Sequence, residues 1–191
     1  MTLDEVITRF HISALQNNGS REIAQDSVKS SAVLMPLIEQ NGQAALLFCK
    51  RAAYLKHHPS QLCFPGGKAE PQDCNLIMTA LRETHEELGI TPEQITPLGT
   101  LSLHATLTGF SILPVVARLA PNTQWHTESL EVEHAFTISI AQLSLESNWH
   151  TYELQLAGKS RSLPGFITPH GLLWGATASL VKNFIKLIKT A

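Results

Sequence analysis

The chain has 191 residues, 43% of them hydrophobic, and a formal net charge of −2. This length and composition fit one domain with a sizeable core, and the near-neutral charge gives no global electrostatic reason to bind nucleic acid. No apolar run approaches the roughly 20 residues of a transmembrane helix. The N-terminus carries acids where a signal peptide carries positive charge, and three cysteines without a Cys-x-x-Cys pair indicate reduced thiols. We therefore expect a cytoplasmic protein that binds neither membrane nor nucleic acid.

The apolar patterns predict helices and strands in alternation along the chain. The first half of the chain should contain a helix from Leu3 to Leu15 ended by a turn at Asn17 to Ser20, strands at Ala32 to Ile38 and Ala44 to Lys50 around an Asn-Gly hairpin turn, and a short strand ending near Phe64. A helix from Leu76 to Leu88, stopped by Thr91 and Pro92, is followed by strands at Leu98 to Leu103 and Ile112 to Leu119, which a turn at Thr108 and Gly109 separates. The remaining elements are a strand at Glu131 to Ile138, a short helix at Ala141 to Leu145, a strand at Tyr152 to Leu156, and a C-terminal helix from Leu173 to Ile188. This order favours an α/β fold, an α/β/α sandwich around a mixed β-sheet. We expect residues 1–26 to form an accessory helix and turn, and residues 27–191 to form a single domain.

The helix predicted at Leu76 to Leu88 carries three acids on one face. Glu83, Glu86 and Glu87 are spaced i, i+3 and i+4, and the apolar stripe of the helix falls on a different face. Like-charged neighbours at this spacing destabilise a helix by about 0.2–0.5 kcal/mol per pair, and a cation relieves that repulsion. Carboxylates without a thiolate favour Mg²⁺ or Mn²⁺ over zinc. The alternative is an ordinary solvated helix face.

The residues around the acids form a longer motif, which resembles the Nudix box across residues 67–90. The matching positions are Gly67, Arg82, Glu83, Glu86, Glu87, Gly89 and Ile90, and Asp73 stands where the first Glu is expected. Eight residues, and not seven, separate Asp73 from Arg82, so the extra residue has to lie before the helix. The resemblance implies a pyrophosphohydrolase in which Glu83, Glu86 and Glu87 bind metal, Glu87 and Glu83 take part in catalysis, and Arg82 braces the loop by pairing with Asp73.

Upstream of the box, five cationic or imidazole side chains precede the Phe-Pro-Gly-Gly turn: Lys50, Arg51, Lys56, His57 and His58. Cations here are suited to clamping phosphate oxygens, and Arg51 is able to do so with two N–H groups. The segment resembles the extra motif of the coenzyme A diphosphatase branch of the Nudix superfamily. Arg51, Ala52, His58, Gln61 and Phe64 to Gly67 match it, whereas Cys49, Lys56 and Ser60 depart from it. The resemblance implies substrate contacts from Arg51, Lys56, His58, Gln61, Gly66 and Gly67.

Further features of that branch recur downstream. They are Thr108-Gly109-Phe110, Pro114-Val115-Val116 and Trp174-Gly175-Ala176-Thr177-Ala178, so that the resemblance covers roughly residues 30–190. A carboxylate beyond the box often supplies a general base or a further ligand, and the candidates are Glu128, Glu131 and Glu133. Glu131 is preferred because Glu131-Val132 matches a Glu-Val pair that precedes a strand in this branch.

The leading hypothesis is a Mg²⁺- or Mn²⁺-dependent Nudix hydrolase that cleaves coenzyme A or its derivatives to 3′,5′-ADP and 4′-phosphopantetheine. The alternatives are a Nudix hydrolase of another nucleoside diphosphate derivative, such as ADP-ribose, NADH or a nucleotide sugar, and a non-catalytic nucleotide-binding module. The sequence leaves open the acyl preference, the number of metal ions, the general base and the oligomeric state, for which a homodimer is one option.

Overall fold

The computed structural model describes residues 1–16, 29–106, 109–127, 130–156 and 159–190. The helices are α1 (Leu3–Gln16), α2 (Leu76–Leu88), α3 (Ile140–Ser144) and α4 (Gly175–Thr190). The strands are β1 (Lys29–Gln40), β2 (Gln43–Arg51), β3 (Leu62–Cys63), β4 (Gly66–Lys68), β5 (Ile95–Thr100), β6 (His104–Ala105), β7 (Phe110–Leu119), β8 (Val132–Ser139), β9 (Trp149–Leu156), β10 (Lys159–Thr168) and β11 (Gly171–Trp174). Within these ranges, every helix is too short or too polar to cross a membrane.

The first eight strands form one mixed sheet. Its order is β3-β2-β1-β7-β5, and β4, β6 and β8 pair with β1, β7 and β2 respectively. β1 runs parallel to β7, and the remaining pairs of this sheet are antiparallel. β4 therefore lies against β1 near the middle of the sheet.

Helices cover both faces of this sheet, as an α/β/α sandwich requires. On one face, Leu81 and Leu88 of α2 belong to a buried cluster with apolar residues of β1, β2 and β7. On the other face, α1, α3 and α4 pack on the opposite side chains of the same strands. Because successive residues of a strand point to opposite faces, Leu34 faces α2 while Met35 faces the other three helices. The predicted fold class is confirmed.

The N-terminal helix is part of the main core. Leu3, Val6 and Phe10 of α1 are buried in the same cluster as α4, and the Phe10 and Phe184 rings lie 5.9 Å apart. The Ser13 hydroxyl also donates to the carbonyl of Leu187 at 2.6 Å. The assignment of residues 1–26 to a separate accessory unit stays a prediction, and the predicted turn at residues 17–20 lies outside the described residues.

The main difference from the predicted elements is a second sheet. β9, β10 and β11 form a three-stranded antiparallel sheet, where the sequence patterns predicted only a strand at Tyr152 to Leu156. β10 escapes pattern analysis because it contains Pro164 and Gly165, a pair typical of turns. Gly165 has a packing reason to be there, since a Cβ would lie 2.6 Å from the Tyr152 ring.

Two predicted boundaries also shift. The C-terminal helix begins at Gly175 and not at Leu173, because residues 173 and 174 belong to β11. The predicted bounds of α2 are confirmed, but the helix is ended by Gly89, whose left-handed φ of 66° lets its N–H bond the His85 carbonyl, and not by residues 91 and 92. The strand predicted at residues 98–103 is found at Ile95–Thr100.

Replacing Phe10 by Ala tests the place of α1 in the core. Phe10 is 2% exposed, so Phe10→Ala should lower the free energy of unfolding by about 3–5 kcal/mol, measured by urea denaturation. Leu15→Ala on the same helix is the control, because Leu15 is 72% exposed and its loss should change stability by less than about 0.5 kcal/mol. Equal, small effects of the two substitutions would show that α1 does not contribute to the common core.

Candidate functional site

The site is built where β4 meets the inner face of α2. Asn75 caps the start of α2 by accepting a hydrogen bond from the Met78 amide, and the helix then runs unbroken to Leu88. The extra residue between Asp73 and Arg82 is therefore accommodated before the helix. Glu87 is only 6% exposed, and its Oε2 accepts a hydrogen bond of 3.1 Å from the Gly66 amide.

Close contacts surround both glycines of the turn, with backbone atoms at Gly66 and with a side-chain carboxylate at Gly67. Gly66 has a φ of +151°, and a Cβ there would lie 2.3 Å from the carbonyl oxygen of Ala32. A Cβ on Gly67 would lie 2.3 Å from Oε1 of Glu83. The two glycines thus let the backbone of β4 approach both the sheet and the carboxylates of α2.

Arg82 connects the acidic helix to the loop before it. Its Nε and Nη2 donate to the two oxygens of Asp73 at 3.0 and 3.1 Å, and Nη2 also donates to the carbonyl of Lys68 at 3.0 Å. Its Nη1 lies 3.1 Å from Glu83 and 3.2 Å from Glu86. The hydrogen bonds from Arg82 hold the pKa of Asp73 well below its usual range. The pairing of Arg82 with Asp73 that the sequence implied is therefore present.

The two inner acids are held where their charged forms are unfavourable. Burial raises the pKa of Glu87 to about 8, and the charges of Glu83 and Glu131 add to this rise, while the Gly66 amide and the Arg51 guanidinium oppose it. Burial also raises the pKa of Glu83. The site therefore favours the binding of positive charge.

The assignment of Glu83, Glu86 and Glu87 as metal ligands stays a prediction. Across the described ranges, no three carboxylate, imidazole or thiol side chains lie close enough together to hold a metal ion as they are placed. Glu83, Glu86 and Glu87 come from one side of α2, but they contact two different neighbours. Glu83 and Glu86 form ion pairs with the guanidinium of Arg82, and Glu87 accepts a hydrogen bond from the Gly66 amide. These contacts lower the repulsion between the like charges.

A second guanidinium lies at the other end of the acids. Arg51 Nη2 is 3.1 Å from Oε2 of Glu131, and the Ala52 amide donates to the Glu131 carbonyl at 2.8 Å. The Nε of Arg51 is buried and has no hydrogen-bond partner in the described part of the chain. Glu133 pairs with Lys50 at 3.1 Å, away from this arrangement, and Glu128 lies outside the described residues. Glu131 is thus the downstream carboxylate that lies beside Arg51.

The loop between β2 and β3 carries the remaining predicted substrate contacts. The Gln61 carbonyl accepts a hydrogen bond from the Arg51 amide at 3.0 Å, which closes the base of the loop. Lys56 and His58 are exposed, and in the described structure their side chains form no ion pair with the acids of α2. His58 and Ser60 both have a left-handed φ of 56°. This conformation explains why a glycine is usual at the position of Ser60.

Two residues of the site were not predicted from the sequence. The Tyr54 hydroxyl donates a hydrogen bond to the Leu130 carbonyl, and both side chains are exposed beside Arg51 and Glu131. The residues are 76 positions apart in the chain. No local pattern predicts such a contact.

Comparison with known families identifies one match, a NUDIX domain over residues 28–154. The chain is 34% identical over 183 residues to the "Uncharacterized Nudix hydrolase NudL" of Enterobacter sp. (strain 638), which covers 96% of this chain and 93% of the relative. The NudL of Citrobacter koseri (strain ATCC BAA-895 / CDC 4225-83 / SGSC4696) is 31% identical over the same lengths.

Solved structures show the same fold. A MutT/nudix family protein from Enterococcus faecalis matches with a TM-score of 0.53 at 14% identity, covering 94% of this chain and 68% of that protein. DR0079 from Deinococcus radiodurans matches with a TM-score of 0.52 at 16% identity, covering 87% and 88%. A Nudix hydrolase from M. smegmatis, RenU, matches with a TM-score of 0.51 at 23% identity, covering 60% and 72%.

The pairing of Arg82 with Asp73 predicts a pH-dependent contribution to stability. Because the pKa of Asp73 is lowered in the folded state, its contribution is complete above the unfolded pKa of about 4 and is lost as the pH falls toward the folded value. The difference in unfolding free energy between the wild type and Asp73→Asn should therefore shrink between pH 5 and pH 2, measured by urea denaturation.

Asp4→Asn is the control for this experiment. It removes the same charge from a residue whose side chain is 84% exposed and lies 3.6 Å from Arg118. Asp4→Asn should change stability little at any pH. A difference between wild type and Asp73→Asn that stays constant from pH 7 to pH 2 would contradict the pairing.

Proposed function

The chain belongs to the Nudix family of hydrolases, and we propose that it cleaves the pyrophosphate of coenzyme A or its derivatives to 3′,5′-ADP and 4′-phosphopantetheine. Membership in this family makes it a pyrophosphohydrolase. The assignment of this substrate is supported by the position of the segment from Arg51 to Gly67, which resembles the extra motif of the coenzyme A branch. That segment touches the acidic helix and its partner carboxylate at both ends, through Gly66 with Glu87 and through Arg51 with Glu131.

Nudix hydrolases generally use divalent cations, and we propose Mg²⁺ or Mn²⁺ here, held by Glu83, Glu86 and Glu87. The donor set fits such an ion because all its atoms are carboxylate oxygens. Burial raises the pKa of Glu87 to about 8, so a nearby cation stabilises the anion that the site otherwise disfavours. When bound, the ion neutralises phosphate charge and lowers the pKa of its water.

The chain's own residues have separate tasks in this proposal. Arg51 binds a phosphate oxygen through its guanidinium, whose Nε has no partner in the described structure. Glu131, which lies beside Arg51, accepts the proton of the attacking water. The Gly66 amide orients Glu87, and Gly67 leaves the space that Glu83 occupies. Arg82 is a positioning residue, because it fixes α2 to the loop through Asp73.

The outer loop supplies the recognition of the charged substrate. Lys56 and His58 are exposed on it, and we assign them to the phosphate groups of the bound nucleotide. Gln61 holds the loop closed through its carbonyl. This division separates the acids that perform the reaction from the cations that select the substrate.

A substrate panel tests the proposal directly. Coenzyme A, 3′-dephospho-coenzyme A, ADP-ribose and NADH are incubated with Mg²⁺, with Mn²⁺ or with a chelator, and the products are separated by chromatography. Coenzyme A should have the highest kcat/KM, should give the two products named above, and should remain intact with the chelator. A higher kcat/KM for ADP-ribose or NADH would show that the enzyme belongs to another substrate class of the family.

Replacing Glu87 separates its role in activity from its role in the fold. Glu87→Gln should lower kcat by more than about 100-fold, since even partners of metal ligands contribute 10- to 100-fold. The melting temperature at pH 7 should change little, because burial raises the pKa of Glu87 to about 8, so its carboxyl is mostly uncharged there, like the amide that replaces it. The matched control is Glu39→Gln, an exposed residue at the far end of β1, which should keep full activity. Full activity of Glu87→Gln would refute the metal assignment.

A further inference from the structure

Two large side chains are exposed on segments that meet near Arg51 and Glu131. Tyr54 is 69% exposed and Leu130 is 82% exposed. The Tyr54 hydroxyl donates to the Leu130 carbonyl, so the ring is tied to the segment that carries Leu130. A tethered aromatic ring offers contact area with little loss of conformational entropy on binding. Together, Tyr54 and Leu130 form what we call the apolar lip.

The apolar lip is joined directly to the catalytic residues. Leu130 precedes Glu131, whose carboxylate pairs with Arg51 at 3.1 Å and whose carbonyl accepts from the Ala52 amide at 2.8 Å. The charge of Glu131 in turn acts on Glu83 and Glu87. A substrate whose diphosphate contacts Arg51 is therefore bound close to the two segments that carry Tyr54 and Leu130.

We propose that the apolar lip binds the pantoyl part of coenzyme A and thereby selects this substrate over nucleoside diphosphates linked to a sugar. This inference rests on the proposed function. In the pantoyl group, one methylene separates the diphosphate oxygen from a quaternary carbon, and this carbon carries two methyl groups. These methyl groups suit an apolar contact at this position, whereas the ribose of ADP-ribose places hydroxyl groups there.

The contacts of the apolar lip distinguish it from the other exposed apolar residues. Isolated exposed apolar side chains are ordinary, and Ile167 on β10 is one example at 63% exposure. Tyr54 and Leu130 differ because they come from distant parts of the chain, are joined by a hydrogen bond, and lie within three residues of Arg51 and Glu131, which form an ion pair.

The test compares coenzyme A with ADP-ribose in the full-length enzyme. The variants are Tyr54→Ala, Leu130→Ala and the double variant, with Tyr54→Phe and Ile167→Ala as controls. For each variant, kcat and KM are measured for both compounds, and where ADP-ribose is not turned over its inhibition constant against coenzyme A replaces its KM. Melting temperatures confirm that each variant is folded.

The double variant should raise KM for coenzyme A by about tenfold, in line with the contribution of one or two methyl groups in an apolar site. The kcat for coenzyme A and the KM for ADP-ribose should each stay within about twofold. Tyr54→Phe keeps the ring and should retain most of the preference for coenzyme A, and Ile167→Ala should behave as the wild type.

Three results would overturn the inference in distinguishable ways. If the wild type does not cleave coenzyme A, the proposed function fails and the inference fails with it. If coenzyme A is cleaved but KM rises equally for both compounds, the lip binds the shared adenosine and not the pantoyl group. If Tyr54→Phe raises the KM for coenzyme A as much as Tyr54→Ala does, the effect comes from the lost hydrogen bond to Leu130 and not from contact with the ring.

Discussion

The contact between the Gly66 amide and Glu87 determines how the rest of the site is arranged. Gly66 belongs to β4, which pairs with Val33 near the middle of the main sheet, so its N–H direction is fixed by the fold. Glu87 is buried and accepts this N–H at 3.1 Å. A Cβ on Gly66 would collide with the Ala32 carbonyl, so any larger residue would move β4 away from β1. The acid closest to the core is therefore positioned by the backbone of the sheet.

Two guanidinium groups then stabilise the remaining negative charge from opposite ends. Arg82 is held in place by Asp73 and the Lys68 carbonyl, and its Nη1 lies close to Glu83 and Glu86. Arg51 is anchored through its own backbone by Gln61 and faces Glu131. Neither guanidinium forms an ion pair with Glu87 among the described contacts. Burial therefore raises the pKa of Glu87 to about 8, and the Gly66 amide and the charge of Arg51 offset that rise only in part.

Sequence reasoning succeeded where the determining contacts are local. The bounds of α2 and the pairing of Asp73 with Arg82 follow from capping, from periodicity and from a motif whose members lie within a few turns of each other. It failed where an outcome depends on distant partners. Helical spacing places Glu83, Glu86 and Glu87 on one face, but it does not show that Arg82 contacts Glu83 and Glu86 while the Gly66 amide bonds Glu87. The sheet of β9 to β11 was missed because β10 contains a Pro-Gly pair that only its packing against Tyr152 explains.

The loop between β2 and β3 shows why chemistry and substrate choice can change separately in this fold. Its base is closed by the hydrogen bond from Arg51 to the Gln61 carbonyl, and its side is tied to residue 130 through the hydroxyl of Tyr54. Left-handed residues such as Ser60 cost about 1–2 kcal/mol each and persist only where the surroundings impose the conformation. None of these constraints involves α2. Substitutions in the loop can therefore alter which group is bound beside Arg51 while the contact between Gly66 and Glu87 stays intact.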